Sequence, residues 1–237
     1  QNVNSYHWKN DNEANDIHFA QLIKMVADVD PLLRVRFATS HPKDMSDELL
    51  HTIANNHNIC KAIHLPAQSG SSQVLAKMNR KYTREWYMNR IEAIKTIIPD
   101  CAISTDIIAG FCSETEDDHN QTLSLMEWVA YDYAYMFKYS ERPGTAAFKR
   151  FADDIPEDVK TRRLEQIIAL QGKLSLRSNK KDIGKEFEVL IEGTSKRNPN
   201  HLSGRTSHNK VVVFESKGQK PGDYVWVKIH NCTAATL

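Results

Sequence analysis

Long apolar runs are missing from this chain. No stretch approaches the roughly 18 residues needed to cross a bilayer as a helix, and the mean hydropathy is -0.54. The opening residues hold no basic stretch followed by an apolar one, so no secretory leader is expected at this end. Glycine and proline are scarce, 9 and 8 among 237 residues, which excludes a collagen-like or linker-like polymer. With 41% hydrophobic and 26% charged residues, the composition is that of a globular protein. Cysteine is limited to Cys60, Cys101, Cys112 and Cys232, far apart and never as C-x-x-C. That leaves no local zinc or iron–sulfur signature and fits a reducing, cytoplasmic compartment. There is no G-x-x-x-x-G-K-[ST] loop and no G-x-G-x-x-G, which argues against triphosphate or dinucleotide binding of those kinds.

What is present is unevenly spread. Residues 172–237 hold 12 Lys and Arg against 6 Asp and Glu, residues 1–171 hold 19 against 24, and the whole nets +1. A basic quarter on an acidic body reads as two modules, the tail suited to a polyanion. A merely solvated basic face would produce the same arithmetic.

Residues 1–178 alternate helical and strand-like segments. Phe19, Leu22, Ile23 and Val26 predict a helix over about 13–29. Leu32 to Thr39 reads as a strand stopped at Pro42. Ser46 can cap a helix whose first turn holds Asp47 and Glu48. Ala62 to Gln68 reads as an apolar strand ending in Ser69-Gly70-Ser71, and the next helix carries Tyr87, Ile91, Ile94 and Ile98 on one face. Ala102 to Ile108 is a third strand, followed by Gly110. Thr115 with Asp118 resembles a capping box opening a helix through Leu125 and Trp128. Tyr133 to Tyr139 is a fourth strand, and Pro156 opens a long helix through Val159, Leu164, Ile167, Ile168 and Leu174. The fold class expected is α/β: parallel β/α units forming part of a barrel whose first strands precede Gln1.

Past a junction near Asn179 to Gly184 the period drops to two. Phe187, Val189 and Ile191 alternate with Glu186, Glu188 and Glu192. Val211 to Phe214 is a second strand. Val225, Val227 and Ile229 then alternate with Tyr224, Trp226, Lys228 and His230. Residues 179–237 are expected to form a small antiparallel, OB-like barrel.

In β/α barrels chemistry sits at the carboxyl ends of strands. Those ends here are Ser40-His41, Gln68 to Ser71, Asp106 with Gly110, and Tyr139 to Arg142. Gln68 and Ser69 can hydrogen-bond a ribose or carboxylate, Asp106 can accept from an amine or hydroxyl, Ile107 and Ile108 offer an apolar wall, and Gly110 permits close backbone approach. Spacing alone does not separate these from ordinary wet loops. In the tail, Ser195 to Asn198, Gly204-Arg205-Thr206, and the face bearing Tyr224, Trp226 and Lys228 combine cations with aromatic planes, as stacked bases and phosphates require. If Trp226 faced the core instead, those cations would be ordinary solubility charges.

Several runs, in order, resemble the radical SAM methylthiotransferases. They are Gln1-Asn2-Val3-Asn4-Ser5-Tyr6; Arg34-x-Arg36-x-x-Thr39-Ser40-His41-Pro42; His64 to Ser71; Met78 to Tyr82; Thr105 to Phe111 with Glu114-Thr115; and Tyr139-Ser140-x-Arg142-Pro143-Gly144-Thr145. The tail, with Glu192-Gly193-x-Ser195-Lys196-Arg197-Asn198 and Gly204-Arg205-Thr206, resembles the TRAM RNA-binding module. One run departs: the family's Gly-Phe-Pro-Gly-Glu-Thr is Gly110-Phe111-Cys112-Ser113-Glu114-Thr115 here. The family's C-x-x-x-C-x-x-C loop and the N-terminal domain with a second three-cysteine cluster are expected upstream of Gln1.

The resemblance implies an enzyme using S-adenosylmethionine and two [4Fe–4S] clusters to methylthiolate C2 of N6-isopentenyladenosine at tRNA position 37. It implies that Gln1 and Asn2 meet the amino-acid end of S-adenosylmethionine, Gln68 and Ser69 its ribose or carboxylate, and Ile108 and Gly110 its adenine. Tyr139 would face the cofactor's polar groups, while Arg80 and Arg142 approach the RNA. Lys196, Arg197, Asn198, Arg205, Trp226 and Lys228 would hold the tRNA anticodon arm. No metal ligands are assigned within these residues, and the chain alone is expected to be inactive, monomeric and without membrane or DNA partners. The alternatives are a ribosomal-protein methylthiotransferase of the same family and a non-catalytic RNA-binding protein.

Overall fold

The computed structural model describes residues 2–9, 16–38 and 40–237. A short antiparallel ribbon, β1 (His7–Trp8) and β2 (Ile17–His18), precedes α1 (Phe19–Ala27). Residues 13–15 of the helix expected from about 13 lie outside the described residues, and Ile17 and His18 are extended. The helix begins at Phe19 because His18 caps it, its N–H donating to Gln21 Oε1 at 2.9 Å.

The strand expected over Leu32 to Thr39 is reduced to one bridge, Val35 to Ile59; Thr39 lies outside the described residues. Arg34 and Arg36 reach away from the ladder, to Glu188 at 2.8 Å and Glu192 at 3.7 Å. After α2 (Asp47–Asn55), β3 covers only Ala62–His64 rather than Ala62 to Gln68. Pro66 has no N–H for the ladder, and the Ala67 N–H donates to Thr105 Oγ1 at 2.9 Å instead of to a carbonyl. Pairing resumes where the Gln68 N–H donates to the Asp106 carbonyl at 2.8 Å.

β3, β4 (Ala102–Ala109) and β5 (Tyr133–Lys138) form a parallel sheet in that order. The connections carry α3 (Ser72–Lys77), α4 (Arg84–Ile97) and α5 (Glu116–Val129). Hydroxyls of Ser46, Ser71, Thr83 and Thr115 accept from the N–H three residues on, stopping each helix at its start. β4 alternates strictly: Ile103, Thr105, Ile107 and Ala109 are buried under Ile91, Ile94, Leu125 and Met126, while Ser104, Asp106 and Ile108 face the other way. Two short helices, α3 and α6 (Ala146–Arg150), carry no strong sequence pattern.

The long helix α7 (Glu157–Lys180) packs with a largely polar face. Ile167 and Leu174 are buried as expected, but Ile168 is 47% exposed. Gln171 donates to the Tyr131 carbonyl (3.0 Å), Ser175 to the Asp132 carbonyl (2.7 Å) and Asn179 to the Thr233 carbonyl (2.9 Å). The helix covers turns whose carbonyls need donors, so polar side chains occupy its inner face.

β6 (Glu186–Thr194), β7 (His201–Arg205), β8 (Val211–Glu215) and β9 (Tyr224–Lys228) form an antiparallel sheet ordered β8-β7-β6-β9. It curls over Val189, Val212, Ile229 and Leu237. Its contacts to the parallel sheet fall at the amino ends of the strands. Lys210 lies 3.6 Å from Asp132 and His208 3.1 Å from Asp100. Tyr224 donates to the Leu32 carbonyl at 2.9 Å, with Arg34 over its ring at 4.9 Å. No described helix is long and apolar enough to cross a membrane.

Candidate functional site

A cleft of about 800 Å³ opens at the carboxyl ends of the parallel strands. It gathers Asn2, Gln68, Asp106, Ile108 and Tyr139 with the cations Arg80, Arg142 and Arg150 and the apolar Phe111, Phe137 and Phe151. Gln68 holds a left-handed backbone, φ 71°, a conformation that costs about 1–3 kcal/mol for a non-glycine residue and is typical of functional loops. Behind it, His64 Nε2 lies 3.3 Å from Asp106 Oδ1, and its Nδ1 lies 3.0 Å from Ser104 Oγ. The Tyr139 hydroxyl is pushed up to about 12, first by burial and then by Cys112, so it stays a neutral donor.

Ser69 and Gly110 do not line this cleft. Ser69 is fully buried, 3.3 Å from Thr122 Oγ1, and accepts from the Ser71 N–H. Gly110, at φ 74°, donates its N–H to Glu114 Oε2 at 2.7 Å, and a Cβ there would sit 2.4 Å from Lys160 Cγ. Its lack of a side chain admits Lys160. Gln1 lies outside the described residues.

The loop from Gly110 to Thr115 is held from below. Glu114, itself buried, pairs with buried Arg163 at 3.0 Å, and Arg163 also donates to the Glu114 carbonyl at 2.9 Å. Burial raises the Glu114 carboxyl above its ordinary range, opposed by the Gly110 N–H and Arg163. Ser113 takes φ 56°, the position where the family's pattern has glycine. Asp154 grips it twice, accepting from its N–H at 2.6 Å and its hydroxyl at 2.7 Å. Those two bonds offset the left-handed strain and keep the turn without the glycine.

In the C-terminal sheet, Trp226 is 71% exposed, on the opposite face from buried Val189 and Ile229, and Lys228 is exposed beside it. Lys196 and Arg197 project from the β6–β7 turn, while Asn198 shapes that turn by accepting from the Asn200 N–H at 3.0 Å. Arg205 is engaged, 3.1 Å from Glu192 and bonded to the Asn209 carbonyl. Tyr224 is committed to the seam with Leu32 and Arg34.

Sequence reasoning left Arg150, Phe137 and Phe151 out of the site. Phe137 was within reach: period two along β5 puts Tyr133, Tyr135 and Phe137 on one face, opposite Ser104, Asp106 and Ile108. Arg150 and Phe151 arrive with α6, signalled only by Thr145 as a cap.

The Radical SAM superfamily model matches residues 11–126, and the TRAM domain model matches residues 180–237. Along its full length the chain is 58% identical to the tRNA-2-methylthio-N(6)-dimethylallyladenosine synthase of Phocaeicola vulgatus and 60% identical to that of Parabacteroides distasonis, covering 52% and 51% of those proteins. The chain thus spans about half the length of the curated relatives it matches. Among solved structures, coproporphyrinogen III oxidase from Escherichia coli, a radical SAM enzyme, aligns with a TM-score of 0.54 at 15% identity over 79% of this chain and 50% of that one, a likeness of fold. These matches identify a Radical SAM domain followed by a TRAM domain in a chain more than half identical in sequence to tRNA-2-methylthio-N(6)-dimethylallyladenosine synthases.

Proposed function

We propose that the chain is part of a longer enzyme that methylthiolates C2 of N6-dimethylallyladenosine at tRNA position 37, with residues 1–178 forming the later part of the barrel and 179–237 gripping RNA. One observation carries the reading: Gln68, Asp106 and Tyr139, toward the carboxyl ends of the parallel strands, meet Asn2 in one cleft with arginines that have no acidic partner among the described residues and with an apolar wall. That combination suits a nucleoside with nearby phosphates.

The lining fits an adenosyl ligand. Asn2 and Gln68 bind its polar end, Ile108 and Phe137 cover the base, and the Tyr139 hydroxyl donates toward the sugar side. When bound, S-adenosylmethionine supplies the adenosyl and methyl groups of the chemistry. Arg80 and Arg142 hold phosphates of the RNA at the cleft's edge. An iron–sulfur cluster does not fit these side chains: among the described residues no three His, Cys, Asp or Glu groups could hold a metal. Its ligands belong to parts of the parent enzyme beyond these residues. The RNA is the anticodon arm, bound in the cytoplasm by a monomer, with Lys196, Arg197, Trp226 and Lys228 along the TRAM surface.

The test is reconstitution of the longer protein with tRNA bearing N6-dimethylallyladenosine and, separately, with ribosomal protein, read by mass spectrometry. A methylthio gain on the tRNA alone is expected; a gain on the ribosomal protein alone overturns the reading. For this chain, Lys196→Ala with Arg197→Ala should lower the log–log salt slope of tRNA binding by roughly 0.7–0.9 per lost phosphate contact. An unchanged slope puts the RNA elsewhere.

A further inference from the structure

One wall of the cleft is formed by Ser40 and His41. The side chain of buried Asn4 clamps the His41 peptide from both sides, donating to its carbonyl at 2.9 Å and accepting from its N–H at 2.8 Å. The imidazole is fixed as well. Its Nδ1 accepts from the Lys43 N–H at 3.2 Å, and its ring meets Tyr82 edge-on at 5.8 Å. With Nδ1 acting as acceptor, the ring proton resides on Nε2. Among the described residues no partner takes that Nε2–H. The adjacent Ser40 is 1% exposed, and its Oγ also lacks a partner among the described residues.

We infer that His41, backed by Ser40, is a neutral hydrogen-bond donor that reads a ring nitrogen of a bound adenine. Its structural duties are complete at Nδ1 and the peptide, so the Nε2–H is a donor left over at the wall of a cleft. Burial, then the charge of Arg80 and the weaker charge of Lys43, disfavour protonation; Asp44 opposes them. A neutral donor matches a neutral acceptor, and the arginines of the same cleft already suit anions. Ile108 and Phe137 supply the apolar wall on which a base whose edge is being read would lie. The inference rests on the reading of the cleft as an adenine-nucleotide site, and the shared adenine could come from the adenosyl ligand or from the RNA.

The test uses the whole chain and binding measured by chemical-shift titration of the backbone ¹⁵N resonances of the cleft residues, with the His41 ring ¹⁵N resonances followed as well in the unaltered chain. The probes are adenosine and its 1-, 3- and 7-deaza analogues, each of which lacks one ring acceptor. One analogue should bind the unaltered chain roughly three- to tenfold more weakly than adenosine, the range of one neutral hydrogen bond. His41→Phe should lose the same factor for adenosine and no longer distinguish that analogue, while His41→Gln, which keeps a donor, should recover most of it. If all analogues bind the unaltered chain as adenosine does, or if His41→Phe still discriminates, the inference is overturned while the cleft's reading stands. If the unaltered chain binds neither adenosine nor S-adenosylhomocysteine, both fall. The analogue series needs no variant, so a misfolded His41→Phe does not leave the question open. A His41→Phe penalty on S-adenosylhomocysteine assigns the contact to the adenosyl ligand, a penalty on an RNA hairpin with an unpaired adenosine assigns it to the base, and a penalty on neither overturns it.

Discussion

The two ends of the parallel sheet use the same residue types in opposite ways. At the amino ends, where the antiparallel sheet docks, Lys210 bridges Asp182 and Asp132, Lys185 also pairs with Asp182, and Arg34 pairs with Glu188. At the carboxyl ends, Arg80, Arg142 and Arg150 line a cleft without an acidic partner among the described residues. Charges at one end are satisfied by the protein and fasten two layers. Charges at the other remain available, and there backbone strain at Gln68 and uncommitted donors at Ser40 and His41 accumulate. The contrast separates a structural seam from the rim of the cleft.

The largest expected effect lies beneath that rim. Arg163→Ala leaves the Glu114 carboxylate buried without its partner and should cost about 3–5 kcal/mol in chemical denaturation. A loss below 1 kcal/mol would mean that the Gly110 to Thr115 loop does not depend on the pair. The next pair of variants tests the contrast directly. Lys210→Ala removes charged bonds to Asp182 and Ser178 at the seam and should cost about 1.5–3 kcal/mol. Arg80→Ala, at the rim, should change stability by no more than about 0.5 kcal/mol while lowering the salt slope of RNA binding. Equal stability losses would erase the distinction.

The smallest effect is a pH dependence. Arg162, through two bonds at 2.9 and 2.8 Å, and Arg163 draw the Glu116 carboxyl down from 4.5 to about 2. A depressed acid contributes stability above its unfolded value and loses it as pH falls toward the folded one. The difference in melting temperature between the unaltered chain and Glu116→Gln should therefore shrink as pH falls from 4.5 to about 2. The carboxylate is half exposed and screened, so the contribution is below about 1 kcal/mol. A difference that stays constant with pH would show that the pair adds nothing.

Much of the fold was legible because it is written locally. Caps at Ser46 and Thr115, the apolar face of α4 and the alternation in β6 and β9 need only neighbours in sequence. What was not legible depends on distant partners. Ser113 tolerates a left-handed turn because Asp154 reaches it from 41 positions away. The segment after Leu32 loses its ladder because Arg34 and Arg36 are drawn to Glu188 and Glu192. Ile168 is exposed because α7 faces carbonyls that want donors. Gln68 and Ser69 looked equivalent, yet one left-handed residue turns the first to the cleft and the second to Thr122.

Docking the antiparallel sheet against the amino ends of the strands puts that seam and the cleft at opposite ends of β4. Eight residues of strand span roughly 26 Å. On the proposed reading, an RNA held at both would run along the flank of the body for about that length, and the strand would act as a ruler. Arms too short to bridge it would be refused whatever base they carry, and shape would be judged before sequence.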